Sequence, residues 1–399
     1  MTEPNRGPLK GLKVLDFTRV YSGPYCTMLL GDLGAEIIKV EMPETGDETR
    51  RFLPFKNNES GYYIYLNRNK KGITLDLKSS AGKEIALKLA QWADILVENF
   101  SPGTMAGLGL DYDEVRKVNP QIVYASISGF GQTGPLRQKG AYDAVVQAMG
   151  GLAGVTGFPD RPPVKTGPSI ADANAGVHAA FGIVSAVYNR QKTGEGQYID
   201  VSMMDALFSI LENFVVLYTM TGVNPERAGN ENLASAPFDT FPTQDDYVAI
   251  ATANDRLFEK LAQAMEMPEL CQDERFLTNP LRKANYAELR PIMIEWTRSR
   301  TTEEIVSLLD RCKVPAAPIL SIRELVAHPQ IKAREMLVEV DHPVAGRFDI
   351  PGFPVKLSAT PGTVRTPAPL LGQHTDEVLR TIVGLSEQKI QELKATKVV

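Results

Sequence analysis

An alternation running through the first third of the chain most constrains its fold. Residues 13–18 (KVLDFT) follow Gly11 and are rich in strand formers; Gly23-Pro24 then breaks the chain before residues 25–33 take up helical spacing. Residues 36–41 (EIIKVE) read as a second strand and 73–77 (ITLDL) as a third. Residues 83–92 carry apolar side chains at helical spacing, 94–98 (DILVE) read as a strand, 113–118 as a short helix and 122–127 (IVYASI) as a strand. Strand, helix, strand in this order predicts a parallel sheet flanked by helices. Such sheets bind ligands in the turns that leave their strands, and the turns here include Gly-Pro and Ser-Pro-Gly.

The rest of the chain has a different texture. Its 399 residues are too many for one ordinary core and predict two domains, or one carrying an insertion. Residues 128–168 form a long glycine-rich segment, of a length that is usually functional. A helix rich in Ala and Gly is expected over 173–190, a strand over 197–201 and a long apolar helix over 204–220. Residues 247–251 read as a strand and 257–265, 286–299 and 302–311 as helices. The Pro-rich stretch 314–319 reads as a linker. The expected organisation is a large α/β domain from 1–205, a connecting helix and linker at 206–236, a small α+β domain at 237–320, and a return to the large domain over 321–399.

Composition excludes several function classes. Lys plus Arg number 43 and Asp plus Glu 48, a net charge of −5, so no global field favours nucleic acid or an anionic membrane. Cys26, Cys271 and Cys312 are too scattered for a disulfide framework or a metal knuckle, and the four histidines form no HExxH. No metal site is expected. GxGxxG and GxxxxGK[ST] are both absent. No apolar run of about 18 residues predicts a membrane span. The N-terminus lacks the layout of a signal peptide, so a cytoplasmic protein is expected.

Asp172, in GPSIADANAG, is the leading candidate for chemistry. A carboxylate just before a helix is either an N-cap or an anionic nucleophile held at the helix N-terminus. Small neighbours (Ala171, Ala173, Ala175, Gly176) would let a bulky substrate approach. Tyr142-Asp143 is either a buried tyrosine beside a helix-capping acid or part of a site. Asn99 and Phe100 follow a strand, where α/β sheets bind ligands. Arg68, Lys70 and Lys71 are either solvated surface or a phosphate contact. His178 reads as a structural histidine.

The chain resembles the class III CoA-transferases, the family that includes formyl-CoA transferase and carnitine CoA-transferase. LKGLKVLDFTRVYSGPYCTMLLGDLGAEIIKVE is similar to the family's opening. NRNKKGITLDLKSSAGK, DILVENFSPGTMAGLGLDYDEV, NPQIVYASISGFGQTGP and GPSIADANAGVHAAFGIVSAVYNRQKTGEGQYIDVSMMDA follow in family order, then PFDTFPTQDDYVAIATAND and TPAPLLGQHTDEVL. The resemblance implies a Rossmann-like large domain with a parallel sheet, an inserted smaller α+β domain and an interlocked homodimer. It implies Asp172 as the nucleophile, and CoA contacts from Val20, Tyr21, Leu75, Lys78, Asn99, Phe100, Lys139 and Tyr142. Two arginines of formyl-CoA transferase are replaced, by Met42 and Gly107, and Arg68, Lys70 or Lys71 are the expected substitutes. The glycine-rich loop of formyl-CoA transferase has no counterpart between Gly222 and Pro237, which argues against formyl and oxalate as substrates.

The implied reaction moves CoA from an acyl-CoA to a free carboxylic acid through an aspartyl anhydride and an aspartyl-CoA thioester. Coenzyme A and acyl-CoA enter as substrates, and no tightly bound cofactor is expected. One rival is an acyl-CoA racemase, which resembles the same family. That branch carries a histidine where this chain has Tyr142, and a phenol with a free pKa near ~10 is a poor substitute base. The other rival is a non-catalytic CoA-binding protein, which the aspartate at 172 argues against.

Overall fold

The computed structural model describes residues 6–399; the first five, where the reading of the N-terminus as leaderless begins, lie outside the described residues. The chain divides into two units, Met1–Leu152 with Thr166–Asn213 and Pro329–Val399, and Ala153–Lys165 with Phe214–His328.

The first unit is built on six strands: β1 (Lys13–Asp16), β2 (Glu36–Glu41), β3 (Lys70–Thr74), β4 (Ile95–Glu98), β5 (Val123–Ser128) and β6 (Gln197–Ser202). All pairings are parallel, in the order β3-β2-β1-β4-β5-β6. This is the Rossmann arrangement, whose direction of winding reverses between β1 and β4 and opens a crevice at their C-terminal ends. Parallel strands covered on both faces read as continuous apolar runs, which is why they were visible in the sequence. Successive side chains feed opposite layers. Leu15 joins Ile38, Ile73 and Leu96 on one face, where Leu89 of the helix Ser80–Trp92 and the C-terminal Val378, Leu379 and Ile390 cover them. Val14 joins Ile37, Ile95 and Val123 on the other, beneath α1 (Ser22–Asp32) and α2 (Ile170–Thr193). Each such buried aliphatic side chain is worth roughly 1.5–3 kcal/mol, so both layers are needed to hold the sheet.

Four readings of this unit change. Gly23 and Pro24 do not break the chain but lie in the first turn of α1, where proline costs no hydrogen bond. The third strand begins at Lys70 rather than Ile73, because buried partners pull the Lys70 side chain inside (below). α2 begins at Ile170, so Asp172 lies inside the helix rather than before it. The Ala and Gly residues around it serve helix packing: Ala171, Ala175 and Gly176 are buried, and a Cβ at Gly176 would stand 2.7 Å from the Ser22 carbonyl oxygen. α2 is also long and apolar enough, with a mean hydropathy of 1.3, to cross a membrane by length and composition alone. Its buried Ala171, Ala179, Ile183 and Val187 face the sheet, as in a core helix.

The second unit carries a three-stranded antiparallel sheet of β7 (Phe238–Pro242), β8 (Tyr247–Ala251) and β9 (Ala316–Pro318), with β8 central. Phe258, Leu261, Leu289, Met293, Trp296, Ile305 and Leu309, from the helices Asp255–Ala264, Tyr286–Arg298 and Thr302–Cys312, close its core. The stretch read as a linker is thus partly an edge strand, a place where Pro318 is tolerated. The apolar helix expected over 204–220 is two helices, Met203–Phe208 and Asn213–Thr221, and Glu212 between them takes a positive φ of 50°.

Candidate functional site

Two neighbouring cavities open at the C-terminal ends of the strands, on either side of the point where the winding reverses. The first, about 330 Å³, is lined by Val20 and Tyr21 after β1, Asn99 and Phe100 after β4, and Lys139, Tyr142 and Asp172. The second, about 480 Å³, is lined by Leu75 and Lys78 after β3. Arg19 and Phe100 line both, and the Arg19 guanidinium lies 5.3 Å from the Phe100 ring centre. Asp172 and all eight residues expected to contact CoA therefore border one of two adjoining spaces.

Asp172 sits in the first turn of α2, but it does not cap the helix. The N-cap position belongs to Ser169, whose side chain makes no capping bond. The free amides are met from elsewhere. Asp143, the first residue of the helix Asp143–Met149, accepts the Ala171 N–H at 2.9 Å and the Asp172 N–H at 3.4 Å on one carboxylate oxygen. Its other oxygen accepts from Gln147 Nε2 at 2.7 Å, and Gln147 Oε1 accepts the Thr166 N–H at 2.9 Å. The capping requirement of α2 is thus met by a second acid, and the Asp172 carboxyl is left facing the cavity.

Burial, and then the charge of Asp143, push the Asp172 carboxyl up to about 7, while the hydroxyl and amide of Ser22 pull it down. A carboxylate with a conjugate acid this weak is more nucleophilic than an exposed one and is still ionised in half the molecules near neutrality. Burial raises the Tyr62 phenol to about 12, with Asp172 the second cause, so Tyr62 remains a hydrogen-bond donor beside the acid. Tyr21, likewise raised to about 12 by burial, stacks on Tyr25 at 5.5 Å. Tyr142, read as either buried or part of a site, is 74% exposed at the cavity mouth.

The cluster Arg68, Lys70 and Lys71 does not face either cavity. Arg68 is buried and pairs with Asp32 at 2.6 Å, and Lys70 is buried against Asp16 at 3.0 Å and the Thr27 hydroxyl at 2.7 Å. Lys71 reaches Glu377 at 2.9 Å and Glu36 at 3.3 Å. These cations neutralise acids and cannot replace the missing arginines. The cations that do line the cavities are Lys39, Arg51 and Lys78 in the second, Arg137 and Lys139 in the first, and Arg19 in both; Lys39 is buried and paired with Asp47 at 3.0 Å, and Arg19 is paired with Glu48 at 2.8 Å. Arg19 had a signal in the sequence, since it directly follows the first expected strand, residues 13–18. Arg51, Tyr62 and Arg137 had none. His178 is exposed and its Nδ1 lies 2.9 Å from the Asn174 carbonyl. Among the described residues, no cluster of His, Cys, Asp and Glu could hold a metal ion.

The profile of CoA-transferase family III matches residues 9–375. The chain is 36% identical to the succinyl-CoA:glutarate CoA-transferase of Homo sapiens, over 99% of this chain and 90% of the other. It is 38% identical to the succinyl-CoA–D-citramalate CoA-transferase of Chloroflexus aurantiacus, over 98% of both chains. It is 42% identical to the acetyl-CoA:oxalate CoA-transferase of Acetobacter aceti, over 88% and 90%. Among solved structures, a CAIB/BAIF family protein from Brucella suis superposes with a TM-score of 0.84 at 36% identity, covering 94% of this chain and 99% of that one.

Proposed function

The chain belongs to CoA-transferase family III, and from that premise we propose that it moves coenzyme A from an acyl-CoA to a free carboxylic acid through the carboxylate of Asp172. The carboxylate attacks the thioester carbonyl, forming a mixed anhydride and releasing CoA thiolate. The thiolate attacks the aspartyl carbonyl, giving an enzyme–CoA thioester and freeing the donor acid. The acceptor carboxylate attacks that thioester, forming a second anhydride and again releasing thiolate. Attack of the thiolate on the acceptor's carbonyl then yields the new acyl-CoA and restores Asp172. Each intermediate keeps the Asp172 carbonyl activated as an anhydride or a thioester, so no redox partner is required.

The observation that carries this reading is the division of labour between the two acids: Asp143 serves the amides of α2, and Asp172 is left to the cavity. Mutation tests it. Asp172→Asn should fold, since no capping bond depends on that side chain, and should lose transfer by several orders of magnitude. The wild-type protein incubated with acyl-CoA alone should carry a hydroxylamine-sensitive adduct on the peptide containing Asp172. A fully active Asp172→Asn protein would remove the nucleophile and the mechanism together.

Two finer points belong to the proposal. The second cavity suits the nucleotide end of CoA, with Arg51 and Lys78 near its phosphates. The acid is a dicarboxylate, because Arg137 and Lys139 border the cavity of Asp172 with no acidic partner of their own among the described residues. The relatives named above act, by name, on glutarate, D-citramalate and oxalate, all dicarboxylic acids. A homodimer is part of the same reading. Val177, Phe181, Val184 and Tyr188 form an exposed apolar stripe on α2, a face that a second copy would cover. Sedimentation at micromolar concentration should give a dimer.

A further inference from the structure

Val20 adopts a φ of 65°, in the left-handed region that a β-branched side chain avoids. Such strain persists only where the surroundings over-determine it, and it concentrates at functional sites. Val20 belongs to the turn between β1 and α1, and the residues after it, Tyr21 and Ser22, line the cavity of Asp172.

Two side chains hold this turn. Asn99, directly after β4, grips the Arg19 residue on both sides: its Oδ1 accepts the Arg19 N–H at 2.8 Å, and its Nδ2 donates to the Arg19 carbonyl at 2.8 Å. The same Nδ2 reaches the Ser22 hydroxyl at 3.4 Å. From the other side, Asp47 accepts the Val20 N–H at 3.3 Å, and Asp47 is itself fixed by Lys39 Nζ at 3.0 Å. The Asn99 amide therefore spends both donor directions within the protein. Released from these bonds, valine would disfavour the left-handed state by roughly tenfold to a hundredfold. The turn would relax, and Ser22, which lines the same cavity as Asp172, would move with it.

We propose that Asn99 is a positioning residue for the transfer: by clamping Arg19 it holds the strained turn at Val20, and so keeps Tyr21 and Ser22 set against Asp172. This rests on Asp172 being the nucleophile. It differs from a role for Asn99 as a direct CoA contact, which the resemblance alone implies.

The two roles separate in a double-mutant cycle with Val20→Gly. Glycine takes a positive φ without strain, so the turn carrying that substitution does not need the clamp. Asn99→Ala in the wild-type background should lower kcat about 30-fold and change KM for acyl-CoA less than about threefold. In the Val20→Gly background the same change should lower kcat less than about threefold. Equal losses in both backgrounds, or a loss confined to KM, would overturn the proposal. If Asn99→Ala does not fold, Asn99→Asp keeps the acceptor for the Arg19 N–H, loses both donated bonds, and is read by the same criteria. The coupling comes from kcat ratios, whereas the nucleophile is tested by the covalent adduct on Asp172, so either can fail without the other.

Discussion

One carboxylate oxygen of Asp143 receives the backbone N–H groups of Ala171 and Asp172, at 2.9 and 3.4 Å, so the acid 29 positions upstream caps the helix that carries Asp172. The contact fixes where the second acid points. It also sets two like charges close together, which raises the proton affinity of Asp172 beyond the effect of its burial.

Replacing Asp143 by Asn should separate these two effects. The side chain keeps an oxygen for the α2 amides but loses its charge, and one amide group then opposes Gln147. A tertiary cap of this kind is worth roughly 1–2 kcal/mol, and part of that should be lost. With the repulsion removed, the acid limb of the kcat profile should move to lower pH by about half a unit to one unit, and not further, because burial is the larger cause. A limb that stays in place would show that Asp143 does not act on the titrating group.

The ionisation of Asp172 also predicts how stability depends on pH. Its folded value, about 7, lies above the ordinary 3.8, so folding disfavours the charged form. The contribution to stability is complete below about pH 4 and is lost as pH rises through about 7. Asp172→Asn cannot ionise. It should therefore be more stable than the wild type by roughly 1–3 kcal/mol above pH 7, after allowance for solvent screening, with the gain shrinking toward pH 4. Thermal melts at pH 4.5 and pH 8 test this. A mutant less stable than wild type at pH 8 would mean that the carboxylate is well accommodated where it lies.

Arg68 and Lys71 should behave differently although they stand three residues apart. Arg68→Met would leave Asp32 buried without its cation and should cost about 3–5 kcal/mol. Lys71→Met breaks half-exposed pairs with Glu36 and Glu377 and should cost less than about 1 kcal/mol. Neither should alter KM for acyl-CoA in the folded protein. A several-fold rise in that KM for Lys71→Met would return the residue to the phosphate site.

The sheet was legible because a parallel strand covered on both faces leaves an unbroken apolar run. The boundaries slipped where polar residues go inside. Lys70 begins β3 with its amine against Asp16, a partner 54 positions away that no local pattern reveals. The same blindness hid the role of Asp143, since a cap is ordinarily sought within the same turn as the helix it serves. Asp172 itself stood out by its place ahead of an Ala/Gly-rich helix, but the two readings of it could be separated only by knowing what else met those amides. The left-handed turn at Val20 was invisible for the opposite reason: positive φ is read from Gly or Asn, and valine is among the residues least expected there.

The cations of the two cavities should divide the substrates between them. Coenzyme A carries a diphosphate and a 3′-phosphate, and Arg51 and Lys78 line the cavity assigned to that end, without an ion pair of their own among the described residues. Arg137 and Lys139 line the cavity that holds Asp172. Removing charge at Arg51 or Lys78 should raise KM for acyl-CoA by roughly threefold to thirtyfold with little change in kcat, because these contacts are equally present before and during reaction. The effect should shrink at high salt and, for whichever residue meets the 3′-phosphate, disappear with an acyl-3′-dephospho-CoA donor. Removing charge at Arg137 should instead raise KM for a dicarboxylic acceptor and spare a monocarboxylic one, since only the diacid has a second carboxylate to lose a partner. Equal effects of Arg137→Ala on mono- and dicarboxylic acceptors would show that the guanidinium does not read the distal carboxylate, and the assignment of the acid as a dicarboxylate would lose its structural basis.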